Sequence, residues 1–297
     1  MIIINIDLHI HTNNSDGDDS TKEIIKKTRD NDIKLISITD HDTVSAYDDL
    51  KDIDTDGIKI IPAVELSCAY NHEMRDILGY DINLEKMREI LKRYESKEED
   101  IKRENALLKE YVKVFKDNGL IIDDGLQIID GEKNEGYKKV IISAVSHEEN
   151  VSKFPQIMNP SAFFWDNCAN KKSSFYVDES RFFKTIKDTI DIIHEADGLA
   201  FFAHPCIHHM PHNEVGKMLD EARKYGLDGV EVLHAKHSDE DVEFLLNYAD
   251  SNGIYKSGGS DYHGSPKPDI KILIGRGNLN VEYDLVKDWT ENCKYVL

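Results

Sequence analysis

Asp7-Leu8-His9-Ile10-His11 is the stretch of sequence around which the rest of the chain is organised. It follows the apolar run Ile2-Ile3-Ile4, and the two together predict a buried β-strand. Side chains two residues apart in a strand project to the same side, so the end of this strand presents two imidazoles together. Such a pair is typical of a metal site. Taken alone, it is equally typical of two hydrogen-bonded structural histidines, and the remaining sequence has to decide between these interpretations.

Residues that can bind a metal follow other predicted strands along the chain. The predicted strands and the residues that follow them are 34–38 with His41, 58–64 with Glu65, 199–203 with His204, and 254–257 with Asp261 and His263. The polar loop after His11 adds Asp16, and further strands are predicted at 76–80 and 227–233. The helices predicted between these strands are 20–31, 188–198, 214–225 and 239–251. This alternation predicts an α/β protein with a parallel sheet. In a βα barrel the carboxyl ends of the strands meet on one face, so these side chains are expected to lie close together.

Residues 84–178 depart from this alternation. Residues 85–118 are rich in Glu, Lys, Arg and Leu, and a helical rather than a strand pattern continues from them towards Lys171. The sequence therefore predicts a helical insertion over 84–178 and a barrel domain made of residues 1–83 and 179–297. The insertion is expected to form a separate lobe over the metal face.

The sequence indicates a site for more than one metal ion. Its candidate ligands are His9, His11, Asp16, His41, Glu65, His204, Asp261 and His263. A single catalytic zinc uses about three protein ligands, so a set of this size suits two or three divalent ions. Imidazole combined with carboxylate favours zinc, iron or manganese. The carboxylate of Glu65 can bridge two cations, which an imidazole cannot do. Asp40 and Asp42, on either side of His41, are expected to support the site.

Other histidines fall outside this pattern. Those on predicted helices or polar loops, to which the sequence assigns no role, are His147, His194, His208, His209, His212, His234 and His237. Exposed surface is the expected position of His208, His209 and His212.

Composition limits the class of partner. The chain has 297 residues and a net charge of −20. An acidic surface repels polyanions, which argues against a long nucleic-acid duplex or an anionic membrane as the partner. No apolar run approaches the ~20 residues of a spanning helix. The four cysteines form no paired motif, so a reducing, cytoplasmic location is expected.

Five ordered motifs resemble those of the PHP family, the polymerase and histidinol phosphatase family of metal-dependent phosphoesterases. The motifs are residues 7–12 with 15–17, residues 38–42, residues 64–67, His204-Pro205, and residues 259–263. The resemblance implies a distorted (β/α)7 barrel of the TIM-like kind with a trinuclear metal site. The insertion at 84–178 resembles that of the branch of the family that acts on nucleotides and RNA ends.

Two positions depart from that branch. Its usual histidine before the Ile-Leu-Gly segment is Asp76 here, which the resemblance makes a further metal ligand, with His72 as the alternative. Its Gly-Arg-Pro-His segment aligns with residues 136–139, so Lys138 and Lys139 are the candidates for binding a substrate phosphate as point charges.

The resemblance implies a hydrolase that uses a metal-activated water to cleave a small phosphate ester. A nucleotide, a nucleoside bisphosphate or a short oligonucleotide end is the favoured substrate. Glu65 is expected to bridge the metals. The leaving-group proton is expected to come from a metal-bound water, or from His204 or His263 if that histidine is not fully ligating. Two alternatives stay open: a histidinol-phosphate phosphatase, against which the long insertion argues, and a catalytically degenerate barrel with a binding or regulatory role. The sequence does not indicate the oligomeric state.

Overall fold

The computed structural model describes residues 4–71, 73–94, 97–128, 136–168, 170–207 and 210–297. The chain divides into two compact units, one made of Met1–Leu91 and Lys184–Leu297 and the other of Lys92–Phe183. These boundaries lie several residues beyond the predicted limits of 84 and 178. The first limit differs because Met87 and Ile90, on the helix Leu84–Tyr94, are buried in the hydrophobic core of the first unit.

The strands of the described residues all belong to the first unit. They are β1 (Asn5–Ile10), β2 (Ile33–Ile38), β3 (Lys59–Ile60), β4 (Ala63–Tyr70), β5 (Glu73–Tyr80), β6 (Leu199–Phe202), β7 (Gly229–His234) and β8 (Tyr255–Gly259). The first three form a parallel sheet. The others form a second sheet in the order β4-β5-β6-β7-β8, in which β6, β7 and β8 are parallel. The protein is therefore a mixed α/β protein with parallel sheets, as the sequence predicts.

The second sheet is not parallel throughout, which corrects the sequence prediction. β5 runs antiparallel to both β4 and β6. The reason is the length of the connection: β4 ends at Tyr70 and β5 begins at Glu73, whereas a parallel pair needs a crossover of about a dozen residues. The strand predicted over 58–64 is also divided, into β3 and β4, at Ile61-Pro62, because proline has no N–H to donate to a ladder.

The helices are α1 (Thr21–Asp30), α2 (Ala46–Asp49), α3 (Leu84–Tyr94), α4 (Lys97–Asp117), α5 (Gly136–Ala144), α6 (Glu148–Lys153), α7 (Pro160–Phe163), α8 (Ile186–Glu195), α9 (His212–Lys224), α10 (Asp239–Asn252) and α11 (Tyr283–Thr290). Helices α1, α8 and α10 each begin with a capping box, in which two side chains satisfy backbone N–H groups reciprocally. Among the described residues, no helix combines the length and the apolar character that crossing a membrane requires.

The second unit is built around an aromatic core. Tyr111 and Phe115 of α4 are buried there, and the Tyr111 hydroxyl donates to Glu179 Oε1 at 2.5 Å. The side chain of Asn150 exchanges two hydrogen bonds of 2.7 Å with the backbone of Ile121. This unit therefore has its own core and its own buried polar contacts.

Backbone bridges join the two sheets where β1 and β2 end. Ile10 pairs with Tyr262, which follows β8, and His41 pairs with Glu65 of β4. Gly259 permits the close approach of β8 to β1, since a Cβ atom there would lie 2.3 Å from the backbone nitrogen of His9. The carboxyl ends of β1, β2 and β8 therefore meet beside β4.

Candidate metal centre

Glu65 lies at the centre of a cluster of imidazoles and carboxylates. Its Oε2 is 3.2 Å from His9 Nε2 and 3.1 Å from His11 Nε2. The same oxygen is 3.5 Å from His41 Nε2, whereas Oε1 is 3.1 Å from His204 Nε2. Both oxygens of this buried carboxylate thus face histidines that come from the ends of β1, β2 and β6. That is the arrangement of a carboxylate that can bridge cations.

Asp261 and Asp16 add carboxylates to the same cluster. Asp261 Oδ1 is 3.6 Å from His9 Nε2 and 3.5 Å from His11 Nε2. Asp16 Oδ2 is 3.2 Å from His263 Nε2, and its Oδ1 is 3.4 Å from His11 Nδ1. The loop after β1 and the end of β8 therefore supply oxygen and nitrogen donors together.

Asp76 reaches the cluster from the middle of a strand, not from the start of one as the sequence analysis expects. Because β5 is antiparallel to β6, its first half lies beside the end of β6, and the carbonyl of Asp76 accepts a hydrogen bond from Ala203 N. A carboxylate oxygen of Asp76 lies within 4.8 Å of ligand atoms of His41 and Glu65. Its Oδ1 also accepts from Ser67 Oγ at 2.8 Å, which fixes the side chain.

The predicted ligands fall into four overlapping groups in which all donor atoms lie within 4.8 Å of one another. The groups are His11–Asp16–His41–His263, His9–Glu65–His204, His9–His11–Asp261 and His41–Glu65–Asp76. Donors at ~2.1 Å from one tetrahedral zinc lie about 3.4 Å apart, so the separations around Glu65 suit cations shared between these side chains. Because His9, His11, His41 and Glu65 each belong to two groups, neighbouring ions would share ligands. The donor set fits a centre for several divalent ions.

The carboxylates of Glu65 and Asp261 are ionised despite their burial. Burial opposes the charged form of Glu65, but the charges of His9 and His41 outweigh it and hold the pKa of Glu65 well below its usual range. Burial likewise opposes ionisation of Asp261, where His234 and His9 outweigh it and lower the pKa. Buried anionic oxygens at this density require cations, either protons on the imidazoles or metal ions that displace them.

Glu231 is a residue of this site that the sequence analysis did not single out. It is fully buried on β7, where its Oε1 accepts from His9 Nδ1 at 2.9 Å and its Oε2 accepts from the backbone nitrogen of His204 at 2.8 Å. A carboxylate behind a ligating imidazole fixes its tautomer and turns the other nitrogen towards the metal. The sequence feature that could have identified Glu231 is its position between Val230 and Val232, because a carboxylate inside an apolar strand must be paired.

His234 has a role that the sequence analysis did not assign. It is not on a loop but is the last residue of β7, one position beyond the predicted strand, and it is buried. Burial lowers its pKa to about 4, so the ring is neutral. Its Nδ1 accepts from Lys236 N at 3.1 Å, and its Nε2 therefore donates to Asp261 Oδ2 at 3.2 Å. Lys267 Nζ donates to the same oxygen at 2.6 Å, which leaves Asp261 Oδ1 directed at the imidazoles of β1.

Asp40 supports the loop that follows β1. Its Oδ1 accepts from Thr12 N at 2.7 Å and from Ser15 Oγ at 2.6 Å, and its Oδ2 accepts from Thr12 Oγ1 at 2.7 Å. Two residues of the cluster also hold uncommon backbone conformations, with φ of 26° at His204 and 56° at Asp261. Such conformations cost about 1–3 kcal/mol each and persist where the surrounding structure enforces them.

The remaining predicted residues are placed as follows. Lys138 and Lys139 lie on α5 of the second unit, with Lys138 Nζ 5.7 Å from the ring centroid of Tyr137, and their contact with substrate stays a prediction. His194 pairs with Asp228 at 2.8 Å. Outside the described residues lie His72, His208 and His209.

Sequence and structure comparisons agree with this geometry. The model of the PHP domain family matches residues 7–166. The chain is 26% identical over 288 residues to a 5'-3' exoribonuclease of Haemophilus influenzae, with 95% of this chain and 97% of the relative covered. It is 24% identical over 270 residues to a 3',5'-nucleoside bisphosphate phosphatase of Chromobacterium violaceum, with 87% of each covered.

A solved structure shares the fold. A Chromobacterium violaceum protein described as an amidohydrolase, with sulfate bound, superposes with a TM-score of 0.63 at 21% identity over 99% of this chain and 97% of that one. The fold and the cluster define an α/β protein with a candidate site for divalent metal ions. The chain belongs to the PHP domain family, which confirms the resemblance predicted from its motifs.

Proposed function

We propose that this PHP-family phosphoesterase hydrolyses a small nucleotide-like phosphate ester: a nucleotide, a nucleoside bisphosphate or a short oligonucleotide end. The observation that carries the proposal is the cluster of imidazoles and carboxylates centred on Glu65. The side chains of this cluster form four overlapping groups of possible metal ligands. The two relatives named above support the substrate class, since both are named for acting on nucleotides or RNA and both match over most of their length.

The cluster holds two or three divalent ions of the zinc, iron or manganese class. Mixed imidazole and carboxylate donors favour those ions over magnesium or calcium. Bound ions of this kind polarise a phosphoryl oxygen and activate water for attack on phosphorus. The nine ligands are the eight strand-end residues predicted from the sequence together with Asp76.

Individual side chains have separate roles in the reaction. Glu65 would bind neighbouring ions, because its two oxygens face different histidines. The proton that the leaving oxygen needs would come from a metal-bound water, or from His204 or His263 where that imidazole is not fully ligating. Lys138 and Lys139 provide positive charge for a substrate phosphate, as point charges.

The architecture that accompanies this function is one distorted (β/α)7 barrel with an inserted helical domain. The bridges that join β1 to the end of β8, and the end of β2 to β4, support a closed arrangement of the strands. The separate core of Lys92–Phe183 supports an inserted domain. A reducing, cytoplasmic location is supported by four unpaired cysteines.

A phosphate-release screen tests the proposal. Protein reconstituted with Zn²⁺, Mn²⁺ or Fe²⁺ is assayed against nucleoside monophosphates, nucleoside 3',5'-bisphosphates, short 5'-phosphorylated oligonucleotides, sugar phosphates and histidinol phosphate. We expect chelator-sensitive hydrolysis with the highest kcat/KM on one of the nucleotide-type substrates. Preference for histidinol phosphate would replace this proposal with the phosphatase alternative. Metal binding without hydrolysis of any substrate would favour a binding or regulatory module.

A further inference from the structure

A second cluster of metal-binding side chains lies outside the site described above. Cys206 Sγ, a ring nitrogen of His212 and a carboxylate oxygen of Asp241 all lie within 4.8 Å of one another. They come from the segment after β6, the first residue of α9 and the first turn of α10. The sequence analysis placed His212 at the surface and attached Cys206 to no motif, so this grouping is a product of the fold.

Each of the three side chains is held in place by contacts of its own. Asp241 Oδ2 accepts from Ser238 N and Ser238 Oγ, both at 2.9 Å, which leaves Oδ1 2.7 Å from His212 Nε2. The ring of His212 stacks on Phe244 with centroids 4.4 Å apart and planes within 4°. Cys206 is 6% exposed, and its Sγ lies within 4.8 Å of a carboxylate oxygen of Asp241. Ligands fixed in this way by surrounding packing and hydrogen bonds are what a metal site requires.

A buried nitrogen beside this cluster also lacks a partner. His237 lies four residues before Asp241 and is buried, and it interacts electrostatically with Glu231 and His204 of the main centre as well as with Asp241. Its Nδ1 donates to the carbonyl of Val232 at 2.9 Å, so its Nε2 carries a lone pair, and that atom has no hydrogen-bond partner among the described residues. Buried polar atoms are rarely left unpaired, and an absent ion is one of the recognised reasons.

We propose that Cys206, His212 and Asp241 bind one thiophilic divalent cation of the zinc class, separately from the cluster around Glu65. Thiolate together with imidazole selects zinc-type ions, and three protein ligands leave one position for water. On binding, the thiol of Cys206 releases its proton to solvent. The ring of His212 takes the tautomer that carries its proton on Nδ1, so that Nε2 bonds to the ion in place of its hydrogen bond to Asp241. Because Cys206 lies two residues after His204, an ion here ties the segment that carries a ligand of the main centre to α9 and α10.

Cobalt substitution tests the proposal through the sulfur ligand. The cluster around Glu65 offers nitrogen and oxygen donors, so Co²⁺ bound there gives no sulfur-to-cobalt charge-transfer absorption. We expect metal-stripped full-length protein, titrated with Co²⁺ without oxygen, to develop that near-ultraviolet band. Cys206→Ser should abolish it and lower the bound cobalt by one equivalent. Cys293→Ser, which alters a half-buried cysteine near the end of the chain, is the matched control and should keep the band.

His212→Gln provides an independent variant, since the half-buried His212 can be replaced without opening the core. It should weaken the Co²⁺ affinity reported by the band by at least tenfold, on the order of what loss of a metal-site residue costs. Absence of the band in the wild-type protein overturns the proposal, as does its persistence in Cys206→Ser or an unchanged affinity in His212→Gln. The His212–Asp241 contact would then be a hydrogen bond between two helices. None of these readouts depends on phosphate-ester hydrolysis, so they separate this proposal from the proposed function.

Discussion

Replacement of Glu231 by glutamine tests whether the metal centre depends on a residue that contacts no ion. The Glu231 carboxylate accepts from His9 Nδ1 at 2.9 Å with one oxygen and from His204 N at 2.8 Å with the other. It is fully buried, so water cannot replace either acceptor. Glu231→Gln keeps the shape of the side chain but turns one oxygen into an NH₂ group, which cannot accept from an N–H.

The magnitude follows from these two contacts. One buried N–H loses its acceptor, which costs about 1–3 kcal/mol of folding free energy. Without the Glu231 carboxylate, the tautomer and orientation of the His9 ring are also less firmly fixed. Such changes lower metal affinity roughly 10–100-fold. In free energy of binding this is about 1.4–2.7 kcal/mol. We therefore expect that the Glu231→Gln protein still folds without metal. It should bind a metal ion at His9 at least tenfold more weakly than the wild-type protein.

Two measurements separate these effects. Urea denaturation of the metal-free protein gives the folding cost, and competition with a chromophoric chelator gives the affinity for Zn²⁺ or Mn²⁺. Glu243→Gln makes the same chemical change at an exposed position of α10 and should leave both quantities unchanged. A folded Glu231→Gln protein with wild-type metal affinity would refute the role assigned to Glu231.

Three further predictions concern the centre and its support. Glu65→Gln should reduce turnover on the order of 100-fold at saturating metal, because it removes a charge from the site where the transition state is stabilised electrostatically. The circular dichroism spectrum should be preserved. Wild-type turnover would contradict a bridging role for Glu65. Asp76→His should retain metal binding and change which ion best supports hydrolysis, since carboxylate oxygen is the harder donor; unchanged metal content and rate in Asp76→Ala would remove Asp76 from the site. Gly259→Ala should lower the free energy of unfolding, measured by urea denaturation, by about 2–3 kcal/mol because the added Cβ would clash with His9. Gly216→Ala is the control, since its Cβ would meet only an atom 3.9 Å away. It should stabilise α9 by up to ~1 kcal/mol.

Strand ends were the most informative part of the sequence. An apolar run followed by histidine or a carboxylate is a local pattern, and the residues predicted from it, from His9 to His263, lie together in the structure. The capping box at Ser20 is equally local, and the helix that it predicts forms as α1. The direction of β5 was predicted wrongly because strand direction depends on the length of a connection, and that length is known only once both strand boundaries are known.

Histidines were assigned less reliably than strands. His234 and His237 were given no role, yet both are buried and both lie near acidic residues of the site or of the second cluster. A histidine gives no local sign of burial when it stands at the boundary between a strand and a loop. The predicted end of β7 lies one residue before its actual end, and that difference was enough to place His234 outside the strand, where it was given no role.

The sequence by itself determined the class of the fold, the types of ligand and the family, because strand periodicity and motif spacing are properties of short stretches. Only the tertiary structure decided how the ligands are oriented. His9 and Glu231 are 222 positions apart, and Asp7 and Ser260 are 253 apart, yet each pair forms a buried hydrogen bond. Such contacts follow from the pairing and register of strands distant in sequence. Spacing along the chain carries no record of that register, which is set by the packing of the whole sheet.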